Sequence, residues 1–338
     1  MKQLGLFDYP IYKIKQPIRL IELFAGIGTQ AMALKDIRVP FERYKVVEND
    51  PYTIKGYNAI HGTNFGVSDI KEVKGKDLEI KEKDKYCYVM TYSFPCTDLS
   101  CSGIKQGMNK GSGTRSGLLW EVERLLNESG ELPQVLIMEN VTQVHSIRNI
   151  KSFTRWTEFL ISKGYKNYWQ DLNSKNYGVP QNRNRCFMIS VLGEYRYDFP
   201  RESELKKTFK DCLEKKVDEK YYIDKGVNIK ELEKKDNKES KGNVIQLGNL
   251  YEACIGGGFD GIYSKKGLCP SLRCKNIPLI IEDGKTRRLT PIECWRLMGM
   301  NENDYAKCRE ICCDTRLYKQ AGNAIVKDVM MAVFKQFF

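Results

Sequence analysis

Histidine is nearly absent: only His61 and His145 occur among 338 residues. A Ser-His-Asp triad is therefore not expected, and acid–base chemistry falls to Cys, Glu, Asp or bound water. Long apolar runs are missing too. No stretch approaches the ~18 apolar residues of a membrane span, so no membrane partner is expected. The opening segment MKQLGLFDYPIYKIKQP has neither a long apolar core nor a small-residue cleavage site, which is not the pattern of a secretory leader. A reducing, cytoplasmic setting is the resulting expectation, and most of the 12 cysteines should be buried thiols. Zinc-ligand spacing is also lacking. Cys96 and Cys101 are too far apart for a tight pair and Cys312-Cys313 are adjacent, so no metal is expected.

Positive charge, by contrast, is in excess. The formal net charge is +12, which suits a polyanionic partner such as nucleic acid; a merely Lys-rich cytosolic chain has the same balance. With 41% hydrophobic residues, the chain is long enough for one large domain and a smaller one. IRLIELFAGIG (18–28) reads as strand then tight turn, and TQAMALKDI follows with helical spacing. YKVVEND (44–50), YCYVMTYSF (86–94), PQVLIMENV (133–141) and RCFMISVL (185–192) read as further strands, with an amphipathic helix over 117–130. Strands that alternate with helices and end in polar residues predict a doubly wound α/β sheet, with ligands beyond the carboxyl ends of the strands. From about 198 to 241 the texture becomes dense in mixed charge, and a Gly-rich stretch follows over 255–267. Helix returns at 290–300 and again towards the C-terminus.

Four features carry chemistry. Gly26 and Gly28 let the backbone turn sharply at a helix N-terminus, and Glu48 lies about twenty positions on, where a carboxylate holds ribose hydroxyls. An ordinary strand-to-helix turn and a solvated loop carboxylate explain each of these taken singly. Cys96 sits after Pro95 in a polar loop at a strand end, a place that suits a nucleophile whose pKa nearby N–H groups or cations lower; a small core thiol is the alternative. Glu139 follows a very apolar run, so desolvation should raise its pKa and let it donate a hydrogen bond to a ring nitrogen, unless it caps the next helix. Arg183 and Arg185, at i and i+2 before a buried strand, can face one side and bind phosphate or a base carbonyl, or can simply be surface arginines.

The runs LIELFAGIG, VVEND, SDI, FPCTDLS, TRSGLLWEV, MENV, LNSKNYGVPQNRNRCFMI, RRLTPIECWRLMG and QAGNAIV occur in one order. In that order the chain resembles the bacterial and phage DNA cytosine-C5 methyltransferases. The resemblance implies a doubly wound mixed sheet of the S-adenosylmethionine-dependent, Rossmann-like methyltransferase type. It implies a first part of the catalytic and cofactor-binding domain over 1–194, an inserted target-recognition domain over 195–285 and a C-terminal return over 286–338. It implies S-adenosylmethionine as methyl donor, with S-adenosylhomocysteine as product, and a specific double-stranded DNA sequence as substrate. Cys96 and Glu139 become catalytic, with Arg183 and Arg185 steadying a flipped base and its phosphate. On this resemblance Phe24 should stack on the adenine, Gly26 and Gly28 should face the methionine end, Glu48 should hold the ribose, Asp69 and Ile70 should contact the adenine, Pro95 should form the catalytic dipeptide with Cys96, and Asn323 should help close the pocket. A monomer in a prokaryotic cell or phage-infected host, with or without a cognate restriction endonuclease, is the expected setting.

Some positions depart from the family's usual pattern. Ser93, Thr97 and Leu99 stand where Gly, Gln and Phe are common, and Asn49 stands where an aromatic often sandwiches adenine. Rival readings are a tRNA cytosine-C5 methyltransferase of the same fold, a catalytically silent DNA-binding regulator, and a small-molecule methyltransferase. The CFT tripeptide of the tRNA branch is missing from this sequence, and its loop commonly begins PPCQ rather than FPCT.

Overall fold

The computed structural model describes residues 9–99, 107–223, 227–236, 242–250 and 261–338. Cys101 and the first part of the Gly-rich run, 255–260, lie outside the described residues. The first half alternates β1 (Ile18–Leu23), α1 (Thr29–Asp36), β2 (Phe41–Val47), α2 (Pro51–His61), β3 (Cys87–Tyr92), α3 (Leu119–Glu128), β4 (Val135–Val141), α4 (Ile150–Ser162) and β5 (Tyr165–Asn173). A two-residue β6 (Gln181–Asn182) and a long β7 (Asn184–Leu192) follow. Six of these strands form one sheet in the order β2-β1-β3-β4-β7-β5. The first four are parallel, whereas β7 runs against both of its neighbours. The mixed doubly wound sheet expected from the sequence is thus the one the chain forms.

Both faces of this sheet are covered, which is why its central strands are apolar throughout. Side chains alternate between two cores. Val89, Val135, Ile137, Phe187 and Ile189 join α1 and the C-terminal helices on one face. Tyr88, Met90, Leu136, Met138 and Met188 join Leu125 of α3 and Trp156 of α4 on the other. From β1 the chain visits β2 at one edge and then crosses to β3 on the opposite side. That reversal opens a crevice beyond the carboxyl ends of β1 and β3.

The second half builds a smaller sheet in the order β8-β13-β12-β10-β9, from β8 (Tyr222–Ile223), β9 (Gln246–Asn249), β10 (Gly261–Tyr263), β12 (Leu279–Glu282) and β13 (Lys285–Arg288). The short α5 (Ile229–Lys235) covers it, with Leu232 against Leu247, Ile262 and Leu279. Asp283 and Gly284, with φ of 51° and 69°, make the two-residue turn between β12 and β13, a geometry that Asp-Gly favours. The remaining strand, β11 (Cys269–Pro270), pairs with β6 in a separate two-stranded sheet and so ties this half to the segment that leads into β7. Four helices close the chain: α6 (Pro291–Arg296), α7 (Glu302–Arg309), α8 (Asp314–Asn323) and α9 (Lys327–Lys335). Helix α9 packs on α1, and α7 and α8 pack on α2. Arg287 of β13, fully buried, pairs at 2.8 Å with fully buried Glu293 at the start of α6.

Candidate active site

The crevice beyond β1 is shaped by backbone conformation. Phe24, Gly26 and Gly28 all adopt left-handed φ, at 55°, 58° and 74°. A Cβ on Gly28 would lie 2.4 Å from both His61 Nε2 and Tyr57 Cε2, whereas one on Gly26 would meet nothing within 4 Å. Gly28 is thus required by close packing, and Gly26 leaves open space at the turn. The N-cap of α1 is Gly28, which has no side chain to accept from its first N–H groups.

Glu48, just past β2, braces this turn. Its carboxylate accepts the Gly26 N–H at 3.0 Å and the Asp50 N–H at 2.8 Å. Burial pushes the Glu48 pKa up, against these two hydrogen bonds. Each carboxylate oxygen retains a lone pair for a further donor, so open space over Gly26 beside a carboxylate suits a nucleoside bearing hydroxyls. Asp69 and Ile70 follow nearby. Asp69 accepts the Lys71 N–H, buried Ile70 packs in the α3/α4 core, and the Ile70 carbonyl accepts from Arg124. Asn49 is exposed. Lys319 of α8 pairs with Asp50, and Arg316 lies 3.8 Å from the same carboxylate. The C-terminal return thereby closes on this edge of the crevice through two cations for which the sequence carries no local signal.

Beyond β3, the segment from Phe94 to Leu99 is pinned at several points. Asn140 donates to the Phe94 carbonyl at 3.0 Å, and Ser116 donates to the Pro95 carbonyl at 2.7 Å. Ser116 also exchanges hydrogen bonds with Asp98. Leu99 is buried in the core and Thr97 is exposed. Asn140 and Ser116 both lie in quoted sequence runs, yet only the fold reveals that they hold the Cys96 loop.

Glu139 lies within β4, paired with β7 at the register Glu139 to Phe187, so its place is set by the sheet and not by a helix cap. It is 8% exposed. Burial raises its pKa, with Arg185, then Arg183 and Ser93, acting in the opposite direction. Arg185 Nε lies 3.4 Å from Glu139 Oε1. The Ser93 hydroxyl is buried without a formed hydrogen bond beside this carboxylate. Cys96 shares the field: burial pushes its thiol pKa up, Arg185 and Arg183 pull it down, and Glu139 opposes them. The sequence predicts a lowered thiol pKa; in the structure burial outweighs the two cations.

The two arginines act on the same site by different contacts. Arg183 is buried and donates to the carbonyls of Leu272, Gly322 and Ala324 at 2.9–3.1 Å. It thereby clamps the two segments on which the chain returns, and only its Nε lacks a partner. Burial lowers its pKa to about 9, with Arg185 adding to the shift. Gln181, fully buried, donates to the Leu297 carbonyl and accepts the Leu272 N–H, a second fixing point the sequence reading did not single out. Asn323, exposed at the end of α8, accepts from the Cys274 thiol. Cys274 in turn lies within the fields of Arg183 and Cys96.

This constellation agrees with what the chain resembles. Residues 18–338 match the family model described as C-5 cytosine-specific DNA methylase. The chain is 31% identical to the type II methyltransferase M2.ScrFI of Lactococcus lactis subsp. cremoris, covering 95% of this chain and 99% of that one. It is 30% identical to the orphan methyltransferase M.SssI of Spiroplasma monobiae, covering 94% and 96%. Among solved structures, the fold is similar to the S. pombe Dnmt2 methyltransferase, with a TM-score of 0.69 at 18% identity over 95% of this chain and 98% of that one. The chain belongs to the C-5 cytosine-specific DNA methylase family and is a DNA (cytosine-5)-methyltransferase.

Proposed function

We propose that the enzyme methylates C5 of a cytosine rotated out of a specific DNA duplex, through a covalent bond between Cys96 Sγ and C6. The observation that carries this reading is the convergence of Cys96, Glu139, Arg183 and Arg185 in one electrostatic cluster. C6 is inaccessible inside a stacked duplex, so the base has to leave the stack. Cys96 passes its proton to solvent water as the substrate enters, and the thiolate adds to C6, which makes C5 nucleophilic. Glu139, whose buried carboxyl favours the protonated form, supports a proton at N3 and so favours that addition. Arg185 orients Glu139 and keeps a cation beside the developing thiolate. Loss of the C5 proton to ordered water or a nearby group, with departure of Cys96, restores the ring.

The family implies S-adenosylmethionine, which supplies the methyl group from an electrophilic sulfonium. The residues of the crevice fit it: Glu48 would hold the ribose, Phe24, Asp69 and Ile70 the adenine, and the Gly26–Gly28 turn, Pro95 and Asn323 the remainder. Residues 195–285 are assigned to target recognition, with the smaller sheet as the reading surface and Arg183 as the clamp that joins it to the large domain. The setting is the cytoplasm of a prokaryotic cell or of a phage-infected host, and the enzyme acts as a monomer. Relatives are titled both type II and orphan methyltransferases, so this chain works with a cognate endonuclease or alone. Labelled methyl transfer tests the substrate. Label in duplex DNA at one sequence context supports the reading, label only in tRNA moves the substrate to RNA, and DNA binding without turnover supports a silent regulator.

A further inference from the structure

Three candidate ligand atoms meet on the α3/α4 face of the sheet, outside the cluster around Cys96. Asp171 of β5 and Cys186 of β7 are directly paired across the two antiparallel strands. In such a pair both side chains leave the same face. His145 hangs over them from the turn after β4, its Nε2 2.9 Å from Asp171 Oδ1. The His Nε2, the Asp oxygen and the Cys Sγ all lie within 4.8 Å of one another. Trp169, two residues before Asp171, stacks against the imidazole at 4.8 Å and 32°, fixing its plane.

We propose that His145, Asp171 and Cys186 form a binding site for a thiophilic divalent cation of the zinc class. One nitrogen, one carboxylate and one thiolate are the donor types such ions take, and the two anions neutralise the dication. A four-coordinate zinc-sized ion holds its ligand atoms roughly 3.3–3.6 Å apart. The trio reaches that spacing if the His145–Asp171 contact opens by a few tenths of an ångström and Cys186 Sγ swings outward. Binding releases the Cys186 proton to solvent and replaces the His145–Asp171 hydrogen bond by two metal bonds. Cys186 is fully buried, while His145 and Asp171 are 23% and 30% exposed, so the fourth position faces water. The ligands come from three elements, which is why cysteine and histidine spacing gave no sign of the site. A bound cation ties the turn after β4 to β5 and β7. Cys186 pairs with Asn140 on its other side, so that tie lies one residue from Glu139.

The probe is cobalt(II) titrated into the full chain. The expected result is one ion per chain, with the visible bands of a four-coordinate cobalt and a near-ultraviolet thiolate-to-cobalt band, both lost on adding zinc. Cys186→Ala should abolish the thiolate band and His145→Gln should weaken binding at least tenfold, while Cys96→Ser should leave both unchanged. His145 is part-exposed, so its variant tests the site even where Cys186→Ala fails to fold. Absence of a thiolate band in the parent chain would overturn the proposal. So would a band that survives Cys186→Ala or is removed by Cys96→Ser, since another thiol would then be the ligand.

Discussion

Arg185 Nε stands 3.4 Å from Glu139 Oε1, and the two side chains reach that distance because β7 and β4 are neighbouring antiparallel strands. Burial drives Glu139 towards its neutral form while Arg185 draws it back. A carboxyl held between these influences can carry a proton to a substrate nitrogen and release it again. Glu139→Gln should retain the fold and lower kcat by about a hundred- to ten-thousand-fold. Circular dichroism together with single-turnover methyl transfer checks this.

Arg183 and Arg185, two residues apart, should behave differently on substitution. Arg183→Ala leaves three buried carbonyls without their donor, and a loss of about 3–5 kcal/mol is expected from urea unfolding. Arg185→Ala should cost far less stability but reduce turnover strongly. Its affinity for non-specific duplex should change little, because that affinity is mostly a sum of phosphate contacts. Equal losses of turnover and non-specific binding in Arg185→Ala would contradict its assignment.

The two glycines of the turn after β1 offer a similar contrast. Gly28→Ala places a Cβ against Tyr57 and His61 and should destabilise the fold by more than about 2 kcal/mol. Gly26→Ala meets no neighbour, so its stability cost should be only about 1 kcal/mol. Its Cβ nonetheless enters the space assigned to the cofactor, and calorimetry should show weaker S-adenosylmethionine binding.

Glu22, wholly buried in β1, accepts from the Tyr57 hydroxyl at 2.5 Å, and burial pushes its pKa from 4.5 to about 7. Between those values the folded chain holds a proton that the unfolded chain has lost. Stability therefore falls as pH rises through this window, by up to about 3 kcal/mol from this group. His61, depressed to about 3 by burial, acts in the opposite sense and loses stability as pH falls below 6.5. Comparing Glu22→Gln with the parent chain isolates the first effect. The variant's advantage in urea midpoint should grow from pH 5 to pH 8.

The parts of this architecture legible in sequence are those set by local pattern. The apolar runs of β3 and β4 end in polar residues, and that pattern alone puts Cys96 and Glu139 at the carboxyl ends of strands. Gly28 was legible as a turn, though the contact with Tyr57 that requires it was not. Asp283-Gly284 is a hairpin signal in the sequence, but the charged residues around it hide the two short strands it joins. Long-range contacts left no local trace: nothing near Arg183 points to the carbonyls of Gly322 and Ala324, nor anything near Asp50 to Lys319. The raised Cys96 thiol pKa depends on how deeply its loop is buried, which Asn140 and Ser116 decide from distant strands and turns.

The proposed reaction turns on the bond between Cys96 and the cytosine ring. Duplex DNA carrying 5-fluorocytosine at the target position tests it most directly, because fluorine cannot leave C5 as a proton does. With S-adenosylmethionine present, a denaturation-resistant complex should form, and mass spectrometry should map the modified base to Cys96. A wild-type enzyme that turns over ordinary DNA yet forms no such complex, or a Cys96→Ala variant that still methylates, would contradict the account.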